Sequence, residues 1–162
     1  MSEHVVVMGV SGTGKTTVGR LLAERLGATF VEGDDLHPAA NVAAMRAGFA
    51  LTDAQRAPWL ARVREAMDDA SGGTVVACSA LRRPYRDVLR EARAPVRFAH
   101  LVVPPDELAR RLAARTGHFM PATLLASQLA TLEPLEADEV GMEVFVDATP
   151  DQVAARIWAA HP

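Results

Sequence analysis

The chain has 162 residues, 49% of them apolar, and its 17 basic and 20 acidic side chains give a formal charge of −3. That length supports one domain over residues 1–162 with a sizeable core. It is too short for a (β/α)₈ barrel, and the charge excludes a global field for nucleic acid or an anionic membrane. No apolar run reaches membrane-spanning length and no basic leader precedes the first strand, so a cytoplasmic location is expected. The single cysteine, Cys78, excludes an internal disulfide framework and reads as a buried small hydrophobe.

Val5 to Met8 form a short apolar run ended by Gly9, the pattern of a buried parallel strand. After a Gly-rich turn, Val18, Leu21, Leu22 and Leu26 recur at helical spacing, and Gly27 stands at the stop position. Thr29 to Val31 begin a second strand. A polar, helix-rich stretch follows, in which Pro38 and Pro58 are predicted at first-turn positions. Thr74 to Cys78 and Val96 to Val103 are the third and fourth apolar runs, with a helix opened by Pro84 between them. Further helices are predicted over 106–115 and 123–130, with a loop over 116–122. Val144 to Val146 read as a fifth strand, and Thr149-Pro150 cap and start a terminal helix. Strands alternating with helices imply an α/β fold with a mostly parallel sheet covered on both faces. The acidic run at Glu133, Glu136, Asp138, Glu139 and Glu143 is expected to be a solvated loop.

Between the first strand and the first helix, Gly9-Val10-Ser11-Gly12-Thr13-Gly14-Lys15-Thr16 matches G-x-x-x-x-G-K-[ST]. Its glycines let successive N–H groups converge on one anion, and the helix N-terminus adds positive potential. In that motif Lys15 reaches the β- and γ-phosphates of a nucleotide and Thr16, followed by Thr17, supplies the hydroxyl for Mg²⁺. Sixteen of the 17 basic residues are Arg, so the sole Lys stands where a slim ammonium is required. A guanine-reading Asn-Lys-x-Asp motif needs a second Lys, which this chain lacks, so a switch GTPase is disfavoured. A small-molecule kinase remains, with a nucleotide-binding regulator as the rival from another class.

Glu32-Gly33-Asp34-Asp35-Leu36-His37-Pro38 follows the second strand and therefore lies at the same sheet edge as the phosphate loop. A carboxylate there can take the proton of an attacking hydroxyl; the alternative role of Asp34 or Asp35 is a turn or helix cap.

The runs EGDDLHPAANVAAMRAGFALTDAQRAPWL (32–60), CSALRRPYRDVLR (78–90) and ARTGHFMPATLLASQLATLEPLEADE (114–139) resemble the gluconokinases of the shikimate kinase-like phosphate-loop kinases. The resemblance covers about residues 5–147. It implies a P-loop kinase fold, a five-stranded parallel sheet of order 2-3-1-4-5 flanked by helices, with a mobile lid near 111–122. It further implies transfer from Mg·ATP to the 6-hydroxyl of D-gluconate, and a homodimer. Where the family has Asp-Gly-Asp, this chain has Glu32-Gly33-Asp34.

By this resemblance Asp34 is the catalytic base and His37 a neighbour of the acceptor pocket. Arg56 either contacts the polyol acid or forms a helix-face ion pair, and Trp59 packs beneath the pocket. For the substrate carboxylate Arg86 is favoured, with Arg82 second. Arg111 and Arg115 share a helix face and, as lid residues, reach the transferred phosphoryl, whereas Arg110 is solvated. His118 either closes over the substrate or serves as a structural hydrogen-bonder. Pro150 and its neighbours are expected near adenine. Ser11 and Ser79 are candidate hydroxyl contacts.

Overall fold

The computed structural model describes residues 2–114 and 122–161. Five strands form one sheet: β1 (His4–Met8), β2 (Thr29–Glu32), β3 (Thr74–Ala77), β4 (Val96–Val102) and β5 (Gly141–Phe145). Every pairing is parallel and the order is β2-β3-β1-β4-β5, as the resemblance implied. Strand β1 is buried along its whole length because it lies at the centre, between β3 and β4.

Alternating residues of the central strands feed two cores, one on each face. Val6, Met8, Val76 and Phe98 pack with Trp59, Val63 and Leu89 from helices α3 (Asp53–Asp69) and α4 (Arg83–Arg90). Val5, Val7, Val75 and Leu101 pack with Val18 and Leu22 of α1 (Lys15–Leu26) and with Val153 and Ile157 of α7 (Pro150–Ala159). The remaining helices are α2 (Ala39–Arg46), α5 (Pro105–Ala114) and α6 (Ala122–Thr131).

Local chemistry sets the start of two helices. Thr52 and Gln55 form a reciprocal capping box at α3, and Thr149 and Gln152 do the same at α7. Pro58, expected in a first turn, sits instead inside α3. The capping box starts that helix at Asp53, upstream of the proline, and the buried Trp59, Leu60, Val63 and Met67 hold it together beyond. Cys78 is buried, and burial pushes its thiol up to about 12, which suppresses the thiolate.

The acidic run is a largely solvated loop, as expected, with one exception. Glu139 is buried in a pair with Arg86, while Glu133 binds Arg82 and both Glu136 and Asp138 bind Arg83. This segment is stapled to the N-terminal end of α4.

Candidate active site

The phosphate loop leaves β1 at Gly9, whose φ of +144° is open to glycine and whose hypothetical Cβ would stand 2.8 Å from the Leu101 carbonyl oxygen. Only glycine therefore lets the loop rise between β1 and β4. Thr13 turns inward and donates to the Val10 carbonyl (3.0 Å), so it can meet a phosphate only through its backbone. Lys15 Nζ donates to the same carbonyl at 3.0 Å, which holds the ammonium across the loop. Arg111 on α5 reaches the loop as well, its Nη1 donating to the Gly12 carbonyl at 3.3 Å while Nε donates to Glu107. Arg110 is exposed and pairs with Glu107, as expected of a solvated residue.

Two openings meet at this loop. A polar groove is lined by Gly12, Gly14, Thr16, Thr17 and Glu32, and an adjoining, more apolar cleft by His37, Arg56, Trp59, Ser79 and Leu124 among others. Ser11, Lys15 and Asp34 line both. The expected base thus stands on the border between the phosphate-binding groove and the cleft.

Asp34 is held there by the turn that carries it. A Cβ on Gly33 would lie 2.5 Å from the Ala77 carbonyl oxygen, so glycine is required for the 3₁₀ turn Gly33–Leu36 to lie against the end of β3. The buried Trp59 indole Nε1 donates to the Gly33 carbonyl at 2.8 Å, and its ring stacks on His37 at 4.0 Å. Trp59 therefore packs beneath the pocket and also fixes its floor.

Burial lowers the His37 imidazole below its usual range; Asp34 opposes this and Arg56 adds to it. Near neutrality the ring is uncharged. His37 Nδ1 lies 3.3 Å from Asn41 Nδ2, which also donates to the Gln55 carbonyl, so Nδ1 acts as acceptor and Nε2 carries the proton.

Glu32 receives a hydrogen bond from the Thr16 hydroxyl. Burial raises its carboxyl above the ordinary value; the Thr16 bond opposes that, and the neighbouring Asp34 charge adds to it. Among the described residues no cluster of three or more metal-ligating side chains occurs. A hard cation here would draw on the Thr16 and Glu32 oxygens, with the remainder supplied by phosphate and water. The donor chemistry fits Mg²⁺, and a dication would relieve the repulsion that Glu32 feels from Asp34.

Arg56 enters the cleft oriented from behind. Its Nη1 donates to Tyr85 Oη at 2.9 Å, its guanidinium lies over the Tyr85 ring at 5.1 Å, and Asp53 stands 3.7 Å away. Tyr85 in turn donates to Asp53. The two other arginines proposed for a carboxylate are corrected by their surroundings. Arg86 is fully buried, with Nε and Nη2 on Glu139 at 2.6 and 3.0 Å and further bonds to four backbone carbonyls; no N–H of it lines the cleft. Arg82 donates to Glu133 at 2.8 Å and to Asp53 at 3.0 Å and also lines neither opening. Both stand after β3, but their guanidiniums are turned toward acids distant in sequence.

Pro150 opens α7 and lines neither opening. Arg115 and His118 lie outside the described residues. Sequence reasoning missed Gln128 of α6, whose Oε1 accepts from the Ser11 N–H at 2.7 Å and which lines the cleft beside Ser127 and Thr131. The available signal was polar residues at inward positions of an otherwise apolar helix face.

A phosphate loop on a 2-3-1-4-5 parallel sheet, with a carboxylate facing both the loop and an adjoining cleft, defines a phosphate-loop small-molecule kinase. A family model described as an AAA domain matches residues 5–135. The gluconokinase of Gluconobacter oxydans (strain 621H) is 54% identical over 154 residues, covering 93% of this chain and 86% of that protein. Among solved structures, an unliganded sugar kinase from Janibacter sp. HTCC2649 superposes with a TM-score of 0.91 at 48% identity, covering 98% of this chain and 94% of that one. A gluconokinase from Sinorhizobium meliloti 1021 gives 0.88 at 43%, covering 98% and 90%. The chain belongs to the gluconokinase family.

Proposed function

We infer that this chain transfers the γ-phosphoryl group of ATP to the 6-hydroxyl of D-gluconate, giving 6-phospho-D-gluconate and ADP. The observation that carries the reading is the position of Asp34 on the border of the groove and the cleft. Family membership supplies the substrate, because the relatives named above include gluconokinases.

In this reading the phosphate-loop amides, Lys15 and Arg111 hold the β- and γ-phosphates, with Arg115 joining them from the lid segment near 111–122. The acceptor lies in the cleft with its carboxylate on Arg56, which Tyr85 and Asp53 keep extended toward it. Neutral His37 offers its Nε2–H to a hydroxyl. Asp34 accepts the 6-hydroxyl proton as that oxygen bonds to the γ-phosphorus, and the bridging oxygen departs with ADP. Thr16 and Glu32 would hold Mg²⁺, whose chemistry is to neutralise charge on the phosphate oxygens. Trp59 and the apolar residues Met45, Leu51 and Leu124 limit water around the reacting oxygen.

An assay of ADP release with gluconate, shikimate, glycerate and no acceptor tests the reading. Turnover dependent on gluconate supports it. Faster turnover with another acceptor moves the substrate, and nucleotide binding without acceptor-dependent release makes the chain a regulator.

A further inference from the structure

Phe49 carries an aromatic ring that the fold leaves uncovered at the cleft. It is 67% exposed, and of the large exposed apolar side chains among the described residues, which also include Val140, Phe145 and Trp158, it alone lines the cleft. The end of α2 explains its backbone. Gly48 has a φ of +88°, its N–H donates to the Met45 carbonyl, and the Phe49 N–H donates to the Ala44 carbonyl, the paired bonds of a Schellman stop. In that motif the residue after the glycine commonly packs back on the residue whose carbonyl it caps. Here that residue is Ala44, whose single methyl cannot cover a phenyl ring. The cap therefore uses the Phe49 amide and leaves its side chain over.

Its chain neighbours fix where it stands. Met45 and Leu51, four residues before and two after, are buried and pack with Leu124 of α6, and all three line the same cleft. Asp34, His37 and Arg56 line it too, and these polar groups suit the hydroxyls and carboxylate of a polyol acid. The C–H surface of its carbon chain is left to apolar side chains. Trp59 is already buried, so Phe49 is the largest of them with surface still to cover. Water is the competitor in such a site, because it also can offer an oxygen to the γ-phosphorus.

We propose that Phe49 is a specificity-determining residue, lying against the carbon chain of the acceptor and keeping water from the reacting oxygen, so that the phosphoryl group passes to the 6-hydroxyl and not to water. Without that cover a water oxygen bonds to the γ-phosphorus, one of its protons passes to Asp34, the bridging oxygen leaves with ADP, and inorganic phosphate is the product. The proposal rests on the reading of the cleft as the gluconate site.

The test compares wild type, Phe49→Ala, Phe49→Gln, Phe145→Ala and Arg56→Ala. The readouts are the ADP and the 6-phospho-D-gluconate formed in one reaction, kcat/KM for gluconate, the ATP KM, and a thermal melt for each variant. Wild type is expected to form one product per ADP, and so is Phe145→Ala, which removes a comparably exposed ring on β5 that does not line the cleft. Both Phe49 variants should release about 2-fold or more ADP than product at saturating gluconate. Their gluconate kcat/KM should fall about 10-fold, the scale of a partly buried phenyl ring, while the ATP KM stays within about 3-fold of wild type. Because the ring is exposed, Phe49→Ala should melt within about 2 °C of wild type. Phe49→Gln keeps a long side chain that cannot exclude water, so it carries the test alone if Phe49→Ala fails to fold. One product per ADP in the folded Phe49 variants overturns the proposal, as does an unchanged gluconate kcat/KM. The Arg56→Ala arm separates the two levels: a gluconate KM unaffected there removes the cleft as the gluconate site, whereas a raised KM there with wild-type behaviour of the Phe49 variants removes only the role of Phe49.

Discussion

Arg86 and Glu139 face each other as a bidentate ion pair with no exposed side-chain surface on either residue. The remaining guanidinium hydrogens go to the carbonyls of Ala80, Leu81, Glu133 and Pro134. Ala80 has a φ of +46°, an uncommon conformation for a residue with a Cβ, and it sits between Ser79 and Leu81, which line the cleft. The pair therefore fixes a strained turn of the cleft wall from behind. Burial pulls the Glu139 carboxyl upward, but bonds from Arg86 and the Glu136 amide outweigh it and leave the group below its ordinary range.

Arg86→Ala is expected to destabilise the fold by about 3–5 kcal/mol, because it strands a buried carboxylate. Urea unfolding measures the loss. On the folded fraction, the ratio of KM values for gluconate and its uncharged alditol should match wild type. A selective loss of gluconate would return Arg86 to the substrate.

Asp34→Asn should leave ATP binding within a few-fold of wild type and lower turnover by roughly 10²- to 10⁴-fold, the range for a lost general base. Single-turnover kinetics at saturating substrates is the measurement. Turnover within about 3-fold of wild type would transfer the role to another group, with Asp35 next in the same turn.

Arg56→Ala should raise the gluconate KM by roughly 10- to 100-fold, the worth of one charge-assisted contact. The ATP KM should hardly move. An uncharged alditol of the same length should suffer far less, and equal penalties for both ligands would mean that Arg56 serves only to hold Tyr85.

The alternation of apolar runs and helical periods was readable along most of the chain because each element carries its own burial pattern. Gly9 to Thr16 was readable for a related reason: the loop's chemistry is contained in eight consecutive residues. Pro58 misled because the start of its helix is set by the Thr52–Gln55 capping box, a local signal stronger than the proline. Arg86 misled because charge is visible in sequence but its partner is not; Glu139 lies 53 residues away, in a run that composition alone makes look solvated. Gln128 escaped for the same reason, since its bond to Ser11 depends on how α6 is laid beside the loop.

Acid should weaken the fold through its buried histidines. Burial lowers His100 on β4; the Glu143 carboxylate 3.9 Å away opposes this, and Arg86 adds to it. Its Nδ1 is buried with no hydrogen-bond partner among the described residues. A histidine whose folded pKa lies below its unfolded value near 6.5 contributes full stability above 6.5, and that stability falls as pH drops from 6.5 toward the folded pKa. His4 and His37 are lowered by burial too and act with the same sign, whereas the raised Glu32 acts oppositely at lower pH. Urea unfolding at pH 7.5 and 5.5 should therefore show a loss on acidification that is smaller in His100→Leu. An equal loss in that variant would clear His100 of any part in the effect.

Lys15 permits a chemical test of the phosphate loop that few chains allow. It is the only Lys of the sequence, so an amine-acylating reagent has two targets in this chain, the Lys15 ε-amine and the terminal α-amine, which mass spectrometry counts separately. Acylation removes the ammonium charge and the donors that face the groove, and activity should fall in proportion to the fraction modified at Lys15. Modification of the α-amine should leave activity unchanged. Mg·ATP should protect Lys15 by occupying the groove, whereas gluconate alone should protect it less, since the cleft meets Lys15 only at its border. Protein acylated fully at Lys15 yet fully active, or labelling indifferent to Mg·ATP, would remove the ammonium from the phosphates and the kinase mechanism built on it.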